Sequence, residues 1–241
     1  MNEVDRLTAL ILEEAHDYVP SSEVTEKLSQ VTFVPVIGPF AVGKSTCIKE
    51  VERLNDDFGR VTGFTTRDPR PGEGPDEFHF LPHDIETLEG ILSDARERKL
   101  VQVTVHPNTG RIYGSSINDY NRKNMMLELL YTVVADMRKI GFGAVKELVF
   151  VSPVVDWEHR FTERVQTETE TEIQKRLKEG RDSLVWSLEQ GANIPWILNK
   201  KGSIQKAAQD IIDVTLGRTL PSSNGYTTGV ELLRRIQEKL K

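Results

Sequence analysis

Apolar residues recur along this chain with two different periods. Spacings of three and four residues predict helices over 3–18, 84–99 and 156–190, and a capping box formed by Thr228 and Glu231 predicts a last helix. Short apolar runs predict strands over residues 31–37, 61–66, 100–105, 131–135, 148–151 and 194–198. Because Pro35 lacks the N–H that a central strand needs, we expect a bulge or a weakened strand end there. Strands alternating with helices favour an α/β fold with a parallel sheet flanked by helices.

Composition and charge narrow the classes of partner. The chain has 241 residues and a formal net charge of −6, which argues against a surface that coats nucleic acid. Its N-terminal residues are acidic and no apolar stretch reaches 18 residues, so we expect no membrane partner and a cytoplasmic location. The single cysteine, Cys47, is expected to be a buried apolar side chain.

A phosphate-binding loop follows the first predicted strand. Residues 38–46 match the pattern G-x-x-x-x-G-K-S/T, with a predicted strand before it and a predicted helix after it. Glycines let the backbone surround phosphate oxygens, Lys44 neutralises phosphate charge, and the Ser45 hydroxyl is a ligand for Mg²⁺. The pattern predicts a nucleoside triphosphate site formed by Gly38, Ala41, Val42, Gly43, Lys44, Ser45 and Thr46.

A second motif makes the chain resemble a known family. The stretch Thr65–Glu73 reads T-T-R-D-P-R-P-G-E and is followed by Phe78-His79-Phe80. Together with the G-P-x-x-x-G-K-S-T loop, this resembles guanylate kinase over residues 31–216. The resemblance implies ATP and Mg²⁺ as cofactors and a nucleoside monophosphate as acceptor. It also implies that Arg67 and Arg70 grip the acceptor phosphate, and two arginines on proline-stiffened backbone suit that task.

Further positions carry over from the same resemblance. Tyr113 and Ser115 match the family's Tyr-Tyr-Gly-Ser/Thr segment, in which the tyrosine binds the acceptor phosphate and the hydroxyl approaches the base. Phe78 replaces a tyrosine whose hydroxyl would touch that phosphate. Asp136 ends a run that resembles the family's strand with Asp-x-Asp, which implies a water-mediated contact with Mg²⁺ or a contact with the base. Its alternative role is a helix or turn cap.

Arginines of a predicted lid are the candidates for phosphoryl transfer. The candidates are Arg160, Arg164 and Arg176, and the last lies in I-x-K-R-L as in the family. Arg160 and Arg164 are four apart and share a helix face. The alternative for Arg160 is an ion pair with Glu163 or Glu168 on a solvated face. Residues 167–172 are polar, as the tip of a mobile lid would be.

Two positions depart from the family where guanine is read. Gly63 stands in place of a serine, and Gln102 stands in place of a glutamate. A glutamate accepts two hydrogen bonds from guanine, whereas a glutamine amide offers one acceptor and one donor. We therefore expect GMP to be a poor or non-exclusive acceptor.

The resemblance also divides the chain. Residues 1–30 form a helical extension, 31–217 the kinase-like core and 218–241 a C-terminal loop and helix, with an inserted acceptor subdomain at about 61–116 and a lid at about 156–178. Two other functions compete with a nucleoside monophosphate kinase. One is a non-catalytic module that binds phosphopeptides, which the intact phosphate loop disfavours. The other is a kinase of another phosphorylated small molecule. The sequence gives no prediction of oligomeric state.

Overall fold

The computed structural model describes residues 2–69, 73–106, 109–166, 168–191, 194–218 and 224–241. The helices are α1 (Glu3–Ala15), α2 (Ser22–Leu28), α3 (Lys44–Leu54), α4 (Ile85–Arg96), α5 (Val134–Met137), α6 (Val154–Arg164), α7 (Glu170–Glu189), α8 (Ile204–Thr215) and α9 (Asn224–Lys239). Short 3₁₀ helices cover Ile117–Asp119 and Tyr131–Val133.

The strands lie between these helices. They are β1 (Thr32–Ile37), β2 (Phe58–Arg60), β3 (Phe64–Thr65), β4 (His79–Phe80), β5 (Leu100–Val105), β6 (Ile112–Ser116), β7 (Asn124–Glu128), β8 (Ala144–Val145), β9 (Leu148–Val151) and β10 (Trp196–Leu198). One sheet has the order β10-β9-β1-β7-β2, and the other has the order β4-β3-β6-β5.

The chain forms two compact units. One contains Met1–Thr32, Val61–Lys123 and Asp136–Ala144, and it holds the second sheet. We call it the acceptor unit. The other contains Phe33–Arg60, Asn124–Ala135 and Val145–Lys241, and it holds the first sheet. We call it the phosphate-loop unit.

The predicted parallel sheet flanked by helices is confirmed in the phosphate-loop unit. Strand β9 pairs in parallel with β1 and β10, and β2 pairs in parallel with β7. Helix α3 packs against α8, and α9 packs against α7 and β10. Strand β1 continues through Pro35, and its register with β9 is set by Val36 opposite Leu148.

The acceptor unit is built on its antiparallel strands and the N-terminal helix. The N-cap residue of α1 is Asn2, whose side chain forms a capping box with Asp5. Leu7 and Ile11 of this helix are buried in a cluster with α4 and β5. The N-terminal helix is therefore part of the core of this unit.

One predicted strand is wrong, and the start predicted for the last helix is wrong. Residues 131–135, expected as a strand, form a 3₁₀ helix and the start of α5. Tyr, Thr and Val favour strands, but this preference is weak and tertiary context overrides it. Helix α9 is already formed at Asn224, so Thr228 and Glu231 lie inside it and do not cap its start.

The expected burial of Cys47 is confirmed. Cys47 is buried, and burial raises the pKa of its thiol to about 12. No helix in the described part of the chain is long and apolar enough to cross a membrane.

Candidate functional site

The loop between β1 and α3 has a backbone that requires glycine at two points. Gly38 has a φ of 151°, and a Cβ at this position would lie 2.2 Å from the carbonyl oxygen of Phe150. Gly43 has a φ of 93°, and a Cβ there would lie 2.6 Å from Nδ2 of Asn199. Ala41 is also left-handed, with a φ of 65°. Because Gly38 and Gly43 have no side chain, the backbone at these two positions is open to close contact with phosphate.

Helix α3 presents its N-terminus to the same loop. Its N-cap residue is Gly43, and no side chain caps the helix there. The N–H groups of the first turn, at Lys44, Ser45 and Thr46, therefore remain donors for an anion, and the helix dipole favours negative charge at this end. This geometry fits the phosphates of a nucleotide.

Lys44 folds back on the loop. Its Nζ donates to the carbonyl oxygens of Gly38 (3.0 Å) and Pro39 (2.9 Å), and it lies 3.7 Å from Oε2 of Glu128. Burial lowers the pKa of Lys44 from its ordinary value, and the Glu128 carboxylate opposes this shift. The cation is thus held beside the loop by two backbone carbonyl oxygens and one carboxylate. Phosphate oxygens could take the place of these partners.

Two side chains that are distant in sequence form hydrogen bonds to the loop backbone. Nη1 of Arg160 and Nδ2 of Asn199 both donate to the carbonyl oxygen of Val42, at 2.7 and 2.8 Å. Arg160 also donates through Nη2 to Oγ of Ser152 (2.6 Å) and through Nε to the carbonyl oxygen of Asp156 (3.1 Å). These contacts place Arg160 at the loop backbone, and its predicted contact with the migrating phosphoryl group stays a prediction.

The two other predicted arginines lie at the phosphate loop. The Cζ atoms of Arg164 and Arg176 are 5.4 and 4.3 Å from the ring centroid of Phe40. Arg176 also donates through Nε to Oε2 of Glu168, at 2.6 Å. Both arginines belong to the same unit as Lys44, so the structure brings these cations together.

The carboxylate predicted at Asp136 is placed differently. Asp136 lies on the four-residue helix α5 in the acceptor unit, its side chain is 68% exposed, and it pairs with Lys139 at 3.0 Å. It does not follow a strand. Strand β7, which neighbours β1 in the sheet, ends at Glu128 instead. The carboxylate beside the phosphate loop is therefore Glu128, which follows the apolar run Met125–Leu127.

The phosphate-loop unit contains two oxygen-bearing side chains that suit a divalent cation. Among the described residues no group of three or more His, Cys, Asp or Glu side chains could hold a metal ion. Mg²⁺ commonly uses one or two protein oxygens and completes its shell with phosphate oxygens and water. The hydroxyl of Ser45 and the carboxylate of Glu128 are oxygens of this kind.

In the acceptor unit, Arg67 is already engaged. Its guanidinium binds both carboxylate oxygens of Glu73, at 2.7 and 2.9 Å, and its side chain is 12% exposed. Its Cζ also lies 5.3 and 5.4 Å from the ring centroids of Phe78 and Phe80. Arg67 is thus held in a fixed orientation by a carboxylate that a phosphate could replace. Arg70 lies outside the described residues.

Aromatic side chains surround this arginine. The ring centroid of Tyr113 is 5.9 Å from that of Phe78 and 6.3 Å from that of His106. Phe78 and Tyr113 therefore lie with Arg67 in one cluster, and their contacts with an acceptor phosphate stay predictions. Glu73 lies six residues from Arg67 in the motif, and this spacing of a carboxylate from an arginine is the sequence signal for their ion pair.

The predicted base-reading positions lie on neighbouring strands. Gln102 of β5 is directly opposite Ser115 of β6 in the antiparallel ladder, so their side chains share one face. Ser115 is buried and its hydroxyl lies 3.1 Å from the hydroxyl of Tyr120. A Cβ at Gly63 would lie 2.3 Å from the carbonyl oxygen of Gly114. The position of the family's serine is therefore closed to a side chain in this protein.

We expect Gly63→Ser to lower the free energy of unfolding by about 1–3 kcal/mol, because the new Cβ must displace a backbone carbonyl. Gly90→Ser is the matched control, since Gly90 lies in α4 with nothing within 4 Å of its added Cβ, and serine is the better helix former. Urea unfolding of both variants measures the difference. Equal stabilities for the two variants would contradict the closed position at Gly63.

Two guanylate kinases are among the known proteins to which this chain is similar. The guanylate kinase of Schizosaccharomyces pombe is 31% identical over 210 residues, which cover 81% of this chain and 96% of that protein. The guanylate kinase of Sus scrofa is 28% identical over 169 residues, covering 65% of this chain and 80% of its own length. No family model matches the chain.

A solved guanylate kinase from Anaplasma phagocytophilum aligns with 78% of this chain and 85% of its own. The TM-score is 0.45 and the identity 15%, which is too low a similarity to add to the sequence matches. The match to the Schizosaccharomyces pombe protein spans nearly all of that protein. This chain therefore belongs to the guanylate kinase family of nucleoside monophosphate kinases.

Proposed function

We propose that this protein transfers the γ-phosphoryl group of ATP to a nucleoside monophosphate, giving ADP and a nucleoside diphosphate. The observation that carries the proposal is the phosphate loop, in which Gly38 and Gly43 leave the backbone bare and Lys44 lies beside the uncapped start of α3. Phosphoryl transfer needs positioned positive charge more than covalent chemistry, and this loop supplies it.

The phosphate-loop unit would bind ATP with Mg²⁺. Lys44 would exchange its two backbone carbonyl contacts for phosphate oxygens, while the Ser45 hydroxyl and Glu128 carboxylate would hold Mg²⁺ directly or through water. Bound Mg²⁺ neutralises charge on the phosphates. Arg164 and Arg176 would stabilise the migrating phosphoryl group, and Arg160 would act as a positioning residue through Val42.

The acceptor unit would bind the nucleoside monophosphate. Its phosphate would replace Glu73 on the fork of Arg67, with Tyr113 as a further donor and Arg70 as the second arginine of the motif. Phe78 has no hydroxyl to donate, so one charged hydrogen bond, about 1.5–3 kcal/mol, is absent from this site. We propose GMP as an acceptor that binds without strong selection against other bases, because Gln102 and Gly63 lack the family's carboxylate and hydroxyl.

The competing module that only binds phosphopeptides would need an acceptor site alone. Such a module has no use for a lysine beside a bare glycine loop, or for two residues that hold Val42 in place. The geometry of the phosphate-loop unit therefore favours the enzyme. A kinase for another phosphorylated small molecule would use the same loop and is distinguished by its acceptor.

A coupled assay of ADP release against GMP, dGMP, AMP, CMP and UMP tests the proposal. We expect Mg²⁺-dependent turnover with GMP, and less than about hundredfold preference for it over AMP, since that ratio is typical of sites without a matched polar contact. The absence of turnover with every nucleotide would contradict the proposed function.

The same assay tests the base-reading position. Because a carboxylate accepts both guanine donors, Gln102→Glu should shift the GMP:AMP ratio of kcat/KM toward GMP by at least about tenfold, equal to ~1.4 kcal/mol. Gln30→Glu, which makes the same change at an exposed position of the same unit, should leave the ratio unchanged. An unaltered ratio in the Gln102 variant would show that the base is read elsewhere.

A further inference from the structure

The phosphate loop carries a phenylalanine between its two glycines. The carbonyl oxygen of Phe40 accepts a hydrogen bond from Nε1 of Trp157 at 2.9 Å. Its ring meets Phe161 edge to face, with centroids 6.3 Å apart and planes at 81°. Both contacts come from α6, so the backbone and the ring of Phe40 are fixed by the same buried helix face.

Two arginines from different helices lie at this ring. Cζ of Arg176, on α7, is 4.3 Å from the ring centroid, and Cζ of Arg164, at the end of α6, is 5.4 Å from it. Both distances fall within the range in which a guanidinium is attracted by an aromatic face. Phe40 thus contacts Arg164 and Arg176, two of the arginines that are candidates for the transfer step.

The ring differs from a carboxylate as a partner for these arginines. Two guanidinium groups at one place repel each other, and the negative faces of an aromatic ring offset part of that repulsion. A carboxylate would do the same, but it would also compete with phosphate for the arginines and repel the incoming nucleotide. A neutral ring attracts both cations and itself occupies none of their donors, although Nε of Arg176 also donates to the carboxylate of Glu168 at 2.6 Å.

We propose that Phe40 is a positioning residue that holds Arg164 and Arg176 at the phosphate loop before the nucleotide binds. The proposal rests on the phosphoryl transfer proposed above. Charge that is already in place stabilises the transition state without reorganisation during the reaction. Phe40 therefore acts on kcat, while the loop backbone continues to bind the ground-state phosphates of ATP.

The test compares Phe40→Leu, which removes the aromatic face, with Phe40→Tyr, which keeps it. We expect Phe40→Leu to lower kcat about tenfold, equal to ~1.4 kcal/mol, with a change in KM for ATP of less than about twofold. Phe40→Tyr should stay within about twofold of the wild type. Normal kcat in Phe40→Leu, or equal losses in both variants, would overturn the role of the ring.

A ligand-free measurement separates this proposal from the proposed function. Trypsin must take up an arginine side chain to cleave, so an arginine held on the ring should be protected. We expect cleavage after Arg164 in the ligand-free protein to be at least about threefold faster in Phe40→Leu than in the wild type or Phe40→Tyr. Equal cleavage rates would overturn the proposal even if the wild type is an active kinase. An inactive wild type would overturn the proposed function and, with it, the catalytic role of Phe40.

A double-mutant cycle covers the case in which Phe40→Leu is merely destabilised. If the ring acts through Arg176, the loss caused by Phe40→Leu should shrink to less than about threefold in an Arg176→Ala background. A full tenfold loss in both backgrounds would show an independent, structural effect and would overturn the proposal.

Discussion

Replacing Lys44 by alanine should lower kcat by at least about a hundredfold, the effect expected when one preorganised cationic donor is removed from a site of charge development. The fold should persist. The variant loses two hydrogen bonds to the carbonyl oxygens of Gly38 and Pro39, each contributing about 1 kcal/mol. Steady-state kinetics together with urea unfolding distinguish the loss of catalysis from a loss of structure.

Lys178→Ala is the control for this prediction, because Lys178 is exposed on α7 of the same unit. Its kcat should match that of the wild type. The pH dependence gives a second check. Since burial lowers the pKa of Lys44 below its ordinary 10.5, and only the protonated form serves phosphate, kcat/KM for ATP should fall as the pH rises toward 10.5. Turnover by Lys44→Ala close to that of the wild type would refute the role of the loop.

Arg67→Ala should lower kcat/KM for the acceptor by about 10- to 100-fold, as expected for a charged hydrogen bond worth about 1.5–3 kcal/mol. Both parameters should change, because an acceptor phosphate that is held loosely loses alignment as well as binding energy. KM for ATP should stay within about twofold. Initial rates over a matrix of ATP and GMP concentrations measure these constants separately.

Glu73→Gln is the matched variant for Arg67. It removes the carboxylate charge that occupies the Arg67 fork but keeps the guanidinium. If Arg67 binds the acceptor phosphate, Glu73→Gln should leave KM for the acceptor unchanged or lower it. If the arginine only stabilises the loop through its ion pair, both variants should be impaired alike, and that outcome would exclude the proposed contact.

The parts of the site that sequence could predict are those with local causes. Gly38, Gly43 and Lys44 lie within seven residues, and their backbone requirements are written in the motif itself. The alternation of strands and helices likewise predicted the parallel sheet, because burial on both faces demands apolar runs of strand length.

The parts that sequence missed depend on distant contacts or on weak preferences. Arg160 reaches the carbonyl oxygen of Val42, 118 residues away in the chain, and no local pattern marks such a clamp. The position of Glu128 at the end of a strand was not predictable, because residues 131–135 contain more β-branched side chains than β7 does and match a strand pattern better. The closed position at Gly63 depends on the path of a neighbouring strand, which the residue itself does not encode.

The most direct test of the kinase assignment is separation of the nucleotides by anion-exchange chromatography. Wild-type protein is incubated with ATP, Mg²⁺ and GMP, and the amounts of ATP, ADP, GMP and GDP are followed to equilibrium, with inorganic phosphate measured in a colorimetric assay. The account predicts that ADP and GDP appear in equal amounts, with inorganic phosphate at background. Formation of ADP with an equal amount of inorganic phosphate and no GDP, or unchanged ATP and GMP, would contradict it.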